Sequence, residues 1–498
     1  MMDQLPVVIF LIPFVTAICV PMIGYRNRDW CGPIALLATI AMSVAAIVNL
    51  YVVLANGESR YAFGGWSIST SLPAFPLGIE WVNDPLASVM LVTLSGLSCI
   101  CILYGTTDLP RSLGSRVVLY YTLVLILISA LAGIVLAGDI FNVFVFLEVV
   151  ALCAYALIGV SGGKALVAAF RYLILGTLGS SFYLLGVVFF YAATGTLNMG
   201  DLAQQLIEKP ELMTSKAIIG GSTFLFLGLG IKMALFPLHG WLPGAYARAP
   251  SAVTPLLASL MTKIALYAWV RIMFWVLGAG AEIGHVHLLT LLGMLGTIAT
   301  VAGAIIALAQ DNLKRMFAYG GISHIGLILI GVSQENGVGL AGSLFYMIND
   351  AVMQASAFII AGAAISLHDA QNVNELSRLR RSPWLVGSLI ILAMSMIGVP
   401  PTGGFFGKWQ IILSALQAAN YVEVAAIIVA TVLTMAYFLK IFSGIFGDGH
   451  RKAEQQPNES KIGLRICLAV TSAAMVVLGL CADPMSRFFR ATATSVGL

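Results

Sequence analysis

The chain has 498 residues, 59% of them hydrophobic and only 10% charged, with a formal net charge of +4. Soluble globular domains are roughly 25% charged, so the composition excludes a water-soluble enzyme or binding domain. Apolar stretches of about 20 residues, enough to cross a hydrocarbon core of roughly 30 Å, recur from end to end, as in a polytopic membrane protein.

Fourteen spans are predicted, near residues 6–23, 31–55, 85–107, 117–137, 140–161, 165–192, 217–247, 254–280, 287–308, 314–333, 337–367, 383–415, 421–446 and 464–484. In hydrocarbon each segment must satisfy its own backbone hydrogen bonds. Continuous Leu, Ile, Val, Ala and Gly runs, without the alternation of barrel strands, therefore predict an all-α integral membrane fold. The first stretch lacks a basic leader and a small-residue cleavage site, which predicts a retained helix. Between spans two and three, residues 56–84 contain FGGWSISTSLPAFPLGIEW, whose alternating aromatic and polar residues predict an extracytoplasmic hairpin. The other sizeable polar pieces lie near 198–216, 368–382 and 450–461, and none has room for a catalytic domain.

Two spans carry prolines where a helix interior should have none, which opens the backbone ladder. The seventh reads GLGIKMALFPLHGWLPGAYARAP, with Lys232 five residues before Pro237; the twelfth reads MSMIGVPPTGGFFGKWQ, with Pro400 and Pro401 preceding Lys408. Paired interrupted helices at corresponding places point to a transport site in an inverted repeat. Spans 4–8 and 9–13 are the predicted five-helix units, span five opposite span ten and span seven opposite span twelve. The chain then divides into 1–116, 117–280, 287–446 and 447–498.

Lys and Arg collect in cytoplasmic loops. With both termini outside, sixteen basic residues fall in inside loops and five, Arg60, Lys209, Lys216, Arg487 and Arg490, fall outside. The net charge thus follows the membrane topology and is no sign of nucleic-acid binding. Lys232, Lys263, Arg271, Lys408 and Lys440 fall inside spans. Arg271 and Lys440 lie towards span ends and read as snorkelling or structural.

An ionisable group at membrane depth is expensive and marks an ion pathway by default. Glu148 sits mid-span in DIFNVFVFLEVVALCAYALIGV, where a lone carboxylate would be driven neutral; it reads either as a hydrogen-bonded strut or as a carboxylate that sets the proton affinity of Lys232. Movement within such a pair would load or unload a proton. Lys263, in PLLASLMTKIALYAWV, and Lys408 extend the row. His324, in GGISHIGLILIG, is the candidate carrier between them, because imidazole titrates near neutral pH. Asp350 and Gln354, in YMINDAVMQASAFIIAG, are one helical turn apart and read as a relay, a cation contact or an anchor. The seven cysteines lie mostly within spans and are not clustered, the histidines do not recur as facing pairs, and no phosphate-cradling glycine loop occurs, so no cofactor or metal is expected.

The segments KMALFPLHGWLPGAYARAPSAVTPLLAS, DNLKRMFAYGGISHIG and GVPPTGGFFGKW resemble the shared core of the antiporter-like subunits of respiratory complex I, membrane-bound hydrogenases and Mrp-type Na+/H+ antiporters, over roughly residues 80–445. The length, the span number and DIFNVFVFLEVVALCAYALIG look most like the Mrp-type D subunit. The resemblance implies that Glu148, Lys232, Lys263, His324 and Lys408 form a proton path along the midplane. It also implies work within a hetero-oligomer containing a larger A-type antiporter-like subunit and small membrane subunits. Many relatives carry a lysine in the eleventh span where this chain has Gln354, so the relay between His324 and Lys408 is expected to use Asp350, water or another route. The expected function is a proton-translocating subunit of a bacterial cell-membrane sodium/proton antiporter; the alternative is a proton-pumping subunit of a complex I-like or hydrogenase complex.

Overall fold

The structure is a computed structural model and describes residues 4–65, 78–109, 113–114, 116–278, 282–283, 286–447 and 462–494. Its helices in chain order are α1 (Leu5–Arg26), α2 (Cys31–Asn56), α3 (Pro85–Asp108), α4 (Arg116–Leu136), α5 (Ile140–Gly159), α6 (Lys164–Thr194), α7 (Met199–Glu208), α8 (Lys216–Lys232) and α9 (Leu242–Arg248). They continue as α10 (Thr254–Leu277), α11 (Leu288–Ala309), α12 (Leu313–Val332) and α13 (Gly337–His368). The last five are α14 (Pro383–Ile397), α15 (Gly403–Gln417), α16 (Tyr421–Phe446), α17 (Ile462–Leu480) and α18 (Ala482–Thr494).

Polar residues set where these helices begin. Asp84 caps α3 by accepting from the Ala87 N–H at 2.8 Å, and Asp139 caps α5 by accepting from Phe141 and Asn142. Asn312 and Asn336 do the same for α12 and α13. Each such cap satisfies amides that the first turn leaves open.

Twelve uninterrupted helices among the described residues are long and apolar enough to span a membrane. The other two predicted spans are the proline-containing ones, each divided in two: α8 and α9, then α14 and α15. The polar connection after α2 forms the predicted hairpin, with β1 (Ser59–Ala62) antiparallel to β2 (Glu80–Asn83); residues 66–77 lie outside the described part. Helix α18, after the last span, was not expected. Its sequence ADPMSRFFRATAT buries Phe489 and Ala493 and exposes Arg487 and Arg490.

Burial sorts the spans. The apolar windows of α10, α12 and α13 are 94%, 89% and 83% buried, against 28% for α1 and 33% for both α2 and α16. The three innermost helices carry Lys263, His324 and Asp350, so protein, not lipid, surrounds the expensive groups. Helices α11 and α12 approach closely through paired glycines: a Cβ at Gly326 would lie 2.5 Å from the Gly296 carbonyl oxygen. That approach sets Ser323 to donate to the Thr300 carbonyl at 2.6 Å.

Candidate ion-translocation site

The two breaks in the helices create the outer members of the site. Helix α8 stops at Lys232, the chain passes through Pro237, and the Trp241 indole N–H donates to the Ile231 carbonyl at 2.8 Å. Helix α14 stops at Ile397 before Gly398, whose φ of 90° suits glycine, and Pro400 and Pro401 delay the next turn until Gly403. Carbonyls at the end of α14 are left without intrahelical donors. Lys408, one turn into α15, turns back and donates to Met396 and Ile397 at 2.8 and 3.2 Å. It is buried and held by these carbonyls, not stretched towards an interface.

Lys232 faces Glu148 of α5, with Nζ 3.7 Å from Oε1. That is an ion pair but beyond hydrogen-bond length, and neither atom has another hydrogen-bond partner among the described residues. Lys232 is 5% exposed and Glu148 28%, so the pair sits at the edge of the protein core.

The centre is tighter. Asp350 on α13 is fully buried and holds two nitrogens: Lys263 Nζ of α10 at 2.8 Å and His324 Nδ1 of α12 at 2.7 Å. Gln354 Nε2 donates to the same carboxylate at 3.4 Å. Lys263 also donates to the Ala258 carbonyl at 3.1 Å, across a π turn at Leu257–Met261; such turns recur at functional sites. A carboxylate this deep is sustainable only because it is paired and hydrogen-bonded.

His324 links this centre to Lys408. Its Nδ1 is engaged by Asp350 while Nε2 has no hydrogen-bond partner among the described residues. His324 and Lys408 line one small cavity together with Thr300, Ser323, Ile427 and Thr434.

Thus Glu148 pairs with Lys232, and Lys263, Asp350 and His324 form one cluster. Lys408 is joined to that cluster through a cavity. Asp350 bridges Lys263 and His324, and Gln354 reaches the carboxylate oxygen that His324 holds. Among the described residues no direct hydrogen bond joins Lys232 to Lys263 or His324 to Lys408.

Of the two readings of Arg271, snorkelling or structural, the structure supports the second: it is buried and pairs with the capping carboxylate Asp84 at 2.5 Å, donates to Tyr267 Oη at 2.9 Å and stacks on Trp275. The spacing of Lys263, Tyr267 and Arg271, four residues apart on one face of α10, was the available signal. Lys440 is held by Asp311 and by the Leu308 and Gln310 carbonyls.

Residues 137–434, which contain this whole row, match the family described as NADH:quinone oxidoreductase/Mrp antiporter, transmembrane. The chain belongs to that family. This antiporter-family protein is 37% identical to the N subunit of the NADH-quinone oxidoreductase of Desulforudis audaxviator, over 90% of its own length and 88% of the relative's. It is 28% identical to the D subunit of the Na(+)/H(+) antiporter of Alkalihalophilus pseudofirmus, over 98% and 96% of the two chains. It superposes with a TM-score of 0.88 and 28% identity on a chain of the membrane-bound sulfane sulfur reductase, an archaeal respiratory membrane complex, covering 99% of this chain and 97% of that one. These relatives are subunits of multisubunit membrane assemblies, and this chain is a multi-pass membrane subunit of the same kind.

Proposed function

We propose that the chain is the proton-translocating subunit of a multisubunit sodium/proton antiporter of a bacterial cell membrane, working beside a larger A-type antiporter-like subunit and small membrane subunits. It is a secondary transporter component, not a catalyst of covalent chemistry. The observation that carries the reading is Asp350, one fully buried carboxylate shared by Lys263 and His324. With two basic partners in contact, charge gained by one weakens the carboxylate's hold on the other, which couples their proton occupancies.

The row works by changing which partner supports each charge. The Glu148–Lys232 pair is loose enough to part without breaking a hydrogen bond, and an ammonium left alone in a buried site favours release of its proton. A pKa unit is only about 1.4 kcal/mol, so a small rearrangement suffices. At the centre, Lys263 and His324 exchange charge through Asp350, and His324 Nε2 passes the proton by way of one water to Lys408. Inward proton movement along this row is coupled to export of sodium or another monovalent cation.

The test is K232A and K263A in everted vesicles from cells expressing the whole complex. Both should abolish cation-dependent proton exchange while the complex still assembles. Assembled variants that exchange normally would sink the reading. A second reading, a proton-pumping role powered by electron transfer in partner subunits, is favoured by the 37% identity to an N subunit. Copurification with redox subunits, and proton movement that depends on an electron donor, would support it over the first.

A further inference from the structure

A carboxylate outside the row described above, Glu423, stands one helical turn before Ile427, a residue that lines the Lys408 cavity. Glu423 lies in the first turn of α16 and is half-buried. Its Oε2 accepts from Gln334 Nε2, and the same amide is anchored by donating to the Ile330 carbonyl at 2.7 Å and by accepting from Asn420 Nδ2 at 2.8 Å. Gly293 on α11 makes the space: a Cβ there would lie 2.6 Å from Glu423 Oε1. Among the described residues no lysine, arginine or histidine pairs with Glu423, so its place is not explained by an ion pair. A partly buried carboxylate held by an amide alone has the chemistry of a proton acceptor.

Ile427, Ala430, Thr431 and Thr434 line the cavity that holds Lys408 and His324. They follow Glu423 along α16 at intervals of three or four residues, and so share its face. Ile427, 1% exposed, is the apolar residue one turn inward from the carboxylate. In the orientation set by the basic loops, this end of α16 faces the exterior.

We propose that Glu423 is the outer-face proton-exchange residue of the Lys408 cavity, with Ile427 as the apolar barrier between them. The proposal rests on the proton-translocation reading. In the outward sense, an N–H bond of the Lys408 ammonium breaks as a water accepts its proton, an O–H bond forms on Glu423 as that water yields it, and the Glu423 O–H then breaks towards external water. The inward sense is the reverse, and no electrons move. Other titratable groups on the helices packed against α16 are Lys314, Arg315, Tyr319 and His324 on α12 and Lys408 on α15; Glu335 lies beside Gln334, α16 itself carries Tyr421, Tyr437 and Lys440, and α11 and α14 carry none.

The experiment uses the whole complex in everted vesicles with lumenal pH, the outer face, varied while external pH is fixed. E423Q keeps the shape and the amide contact but cannot take a proton, and should slow exchange by at least ~10-fold and flatten its dependence on lumenal pH. E423D should retain exchange. Q334L, which leaves the carboxylate and removes its amide donor, should move the lumenal pH profile upward, and it supplies the reading if E423Q does not assemble. Wild-type rates and an unchanged lumenal profile in E423Q and Q334L would overturn the inference while K263A remains inactive. If K263A also exchanges normally, the proton-translocation reading itself falls, and this inference with it.

Discussion

Removing the charge of Asp350 is the sharpest perturbation of the site. Its pair with Lys263, at 2.8 Å, corresponds to roughly 6 kcal/mol of Coulomb attraction at an effective dielectric of about 20, a gross figure that desolvation largely offsets, and His324 adds a hydrogen bond at 2.7 Å. In D350N the amide oxygen can still accept from His324, but Lys263 keeps only the Ala258 carbonyl. A buried cation stripped of its partner costs about 3–5 kcal/mol. D350N should therefore lose ~3–5 kcal/mol, read from denaturation of the solubilised complex, and should abolish exchange in vesicles. Adding K263M removes the stranded amine, so the double variant should regain at least ~2 kcal/mol as a coupling energy yet remain inactive. A single D350N variant with full exchange, or a double variant no more stable than D350N, would falsify this account.

The looser Glu148–Lys232 pair, 3.7 Å apart with Glu148 partly exposed, predicts a smaller loss: E148Q should cost about 1–3 kcal/mol, less than D350N, and slow exchange clearly, measured as proton flux per assembled complex. K408M should assemble and fail to exchange, because methionine fills the volume but offers no proton to the Met396 and Ile397 carbonyls; wild-type flux would count against a carrier role. On the connection between α13 and α14, burial acts to raise the pKa of Glu375, but the N–H groups of Asn372 and Gln371, with Arg378 nearby, outweigh it and hold the carboxyl below its ordinary range. A depressed folded pKa contributes stability that is present above the unfolded value of about 4.3 and is lost as pH falls through the folded value. E375A should therefore cost ~1 kcal/mol at pH 7 by breaking the capping box, and melting at successive pH values should show the deficit shrinking below about pH 4.

The spans and their breaks were legible because their causes are local. Apolar length gives the spans, and Pro237, Pro400 and Pro401 interrupt the seventh and twelfth with no reference to the rest of the chain. The polar positions inside apolar runs were equally visible. Their partners were not. Asp350 meets Lys263 and His324 only because α10, α12 and α13 converge at the centre, and residue spacing on one helix cannot tell which neighbour a carboxylate faces. The partner of Arg271 was hidden for the same reason: the position near a span end was plain, but Asp84 stands at the start of a helix far away in the chain. Glu423 escaped notice because it lies in a first turn, where an acidic residue is ordinary.

The carbonyls that hold Lys408 have a consequence for reversibility. A carboxylate ligand binds an ammonium far better than an amine, whereas the two backbone oxygens of Met396 and Ile397 ask only for two N–H groups. The ammonium has three and the free amine two, so giving up a proton strands neither oxygen. The same cradle fits the loaded and empty carrier without rebuilding, and the proton spared is the one free to point into the cavity.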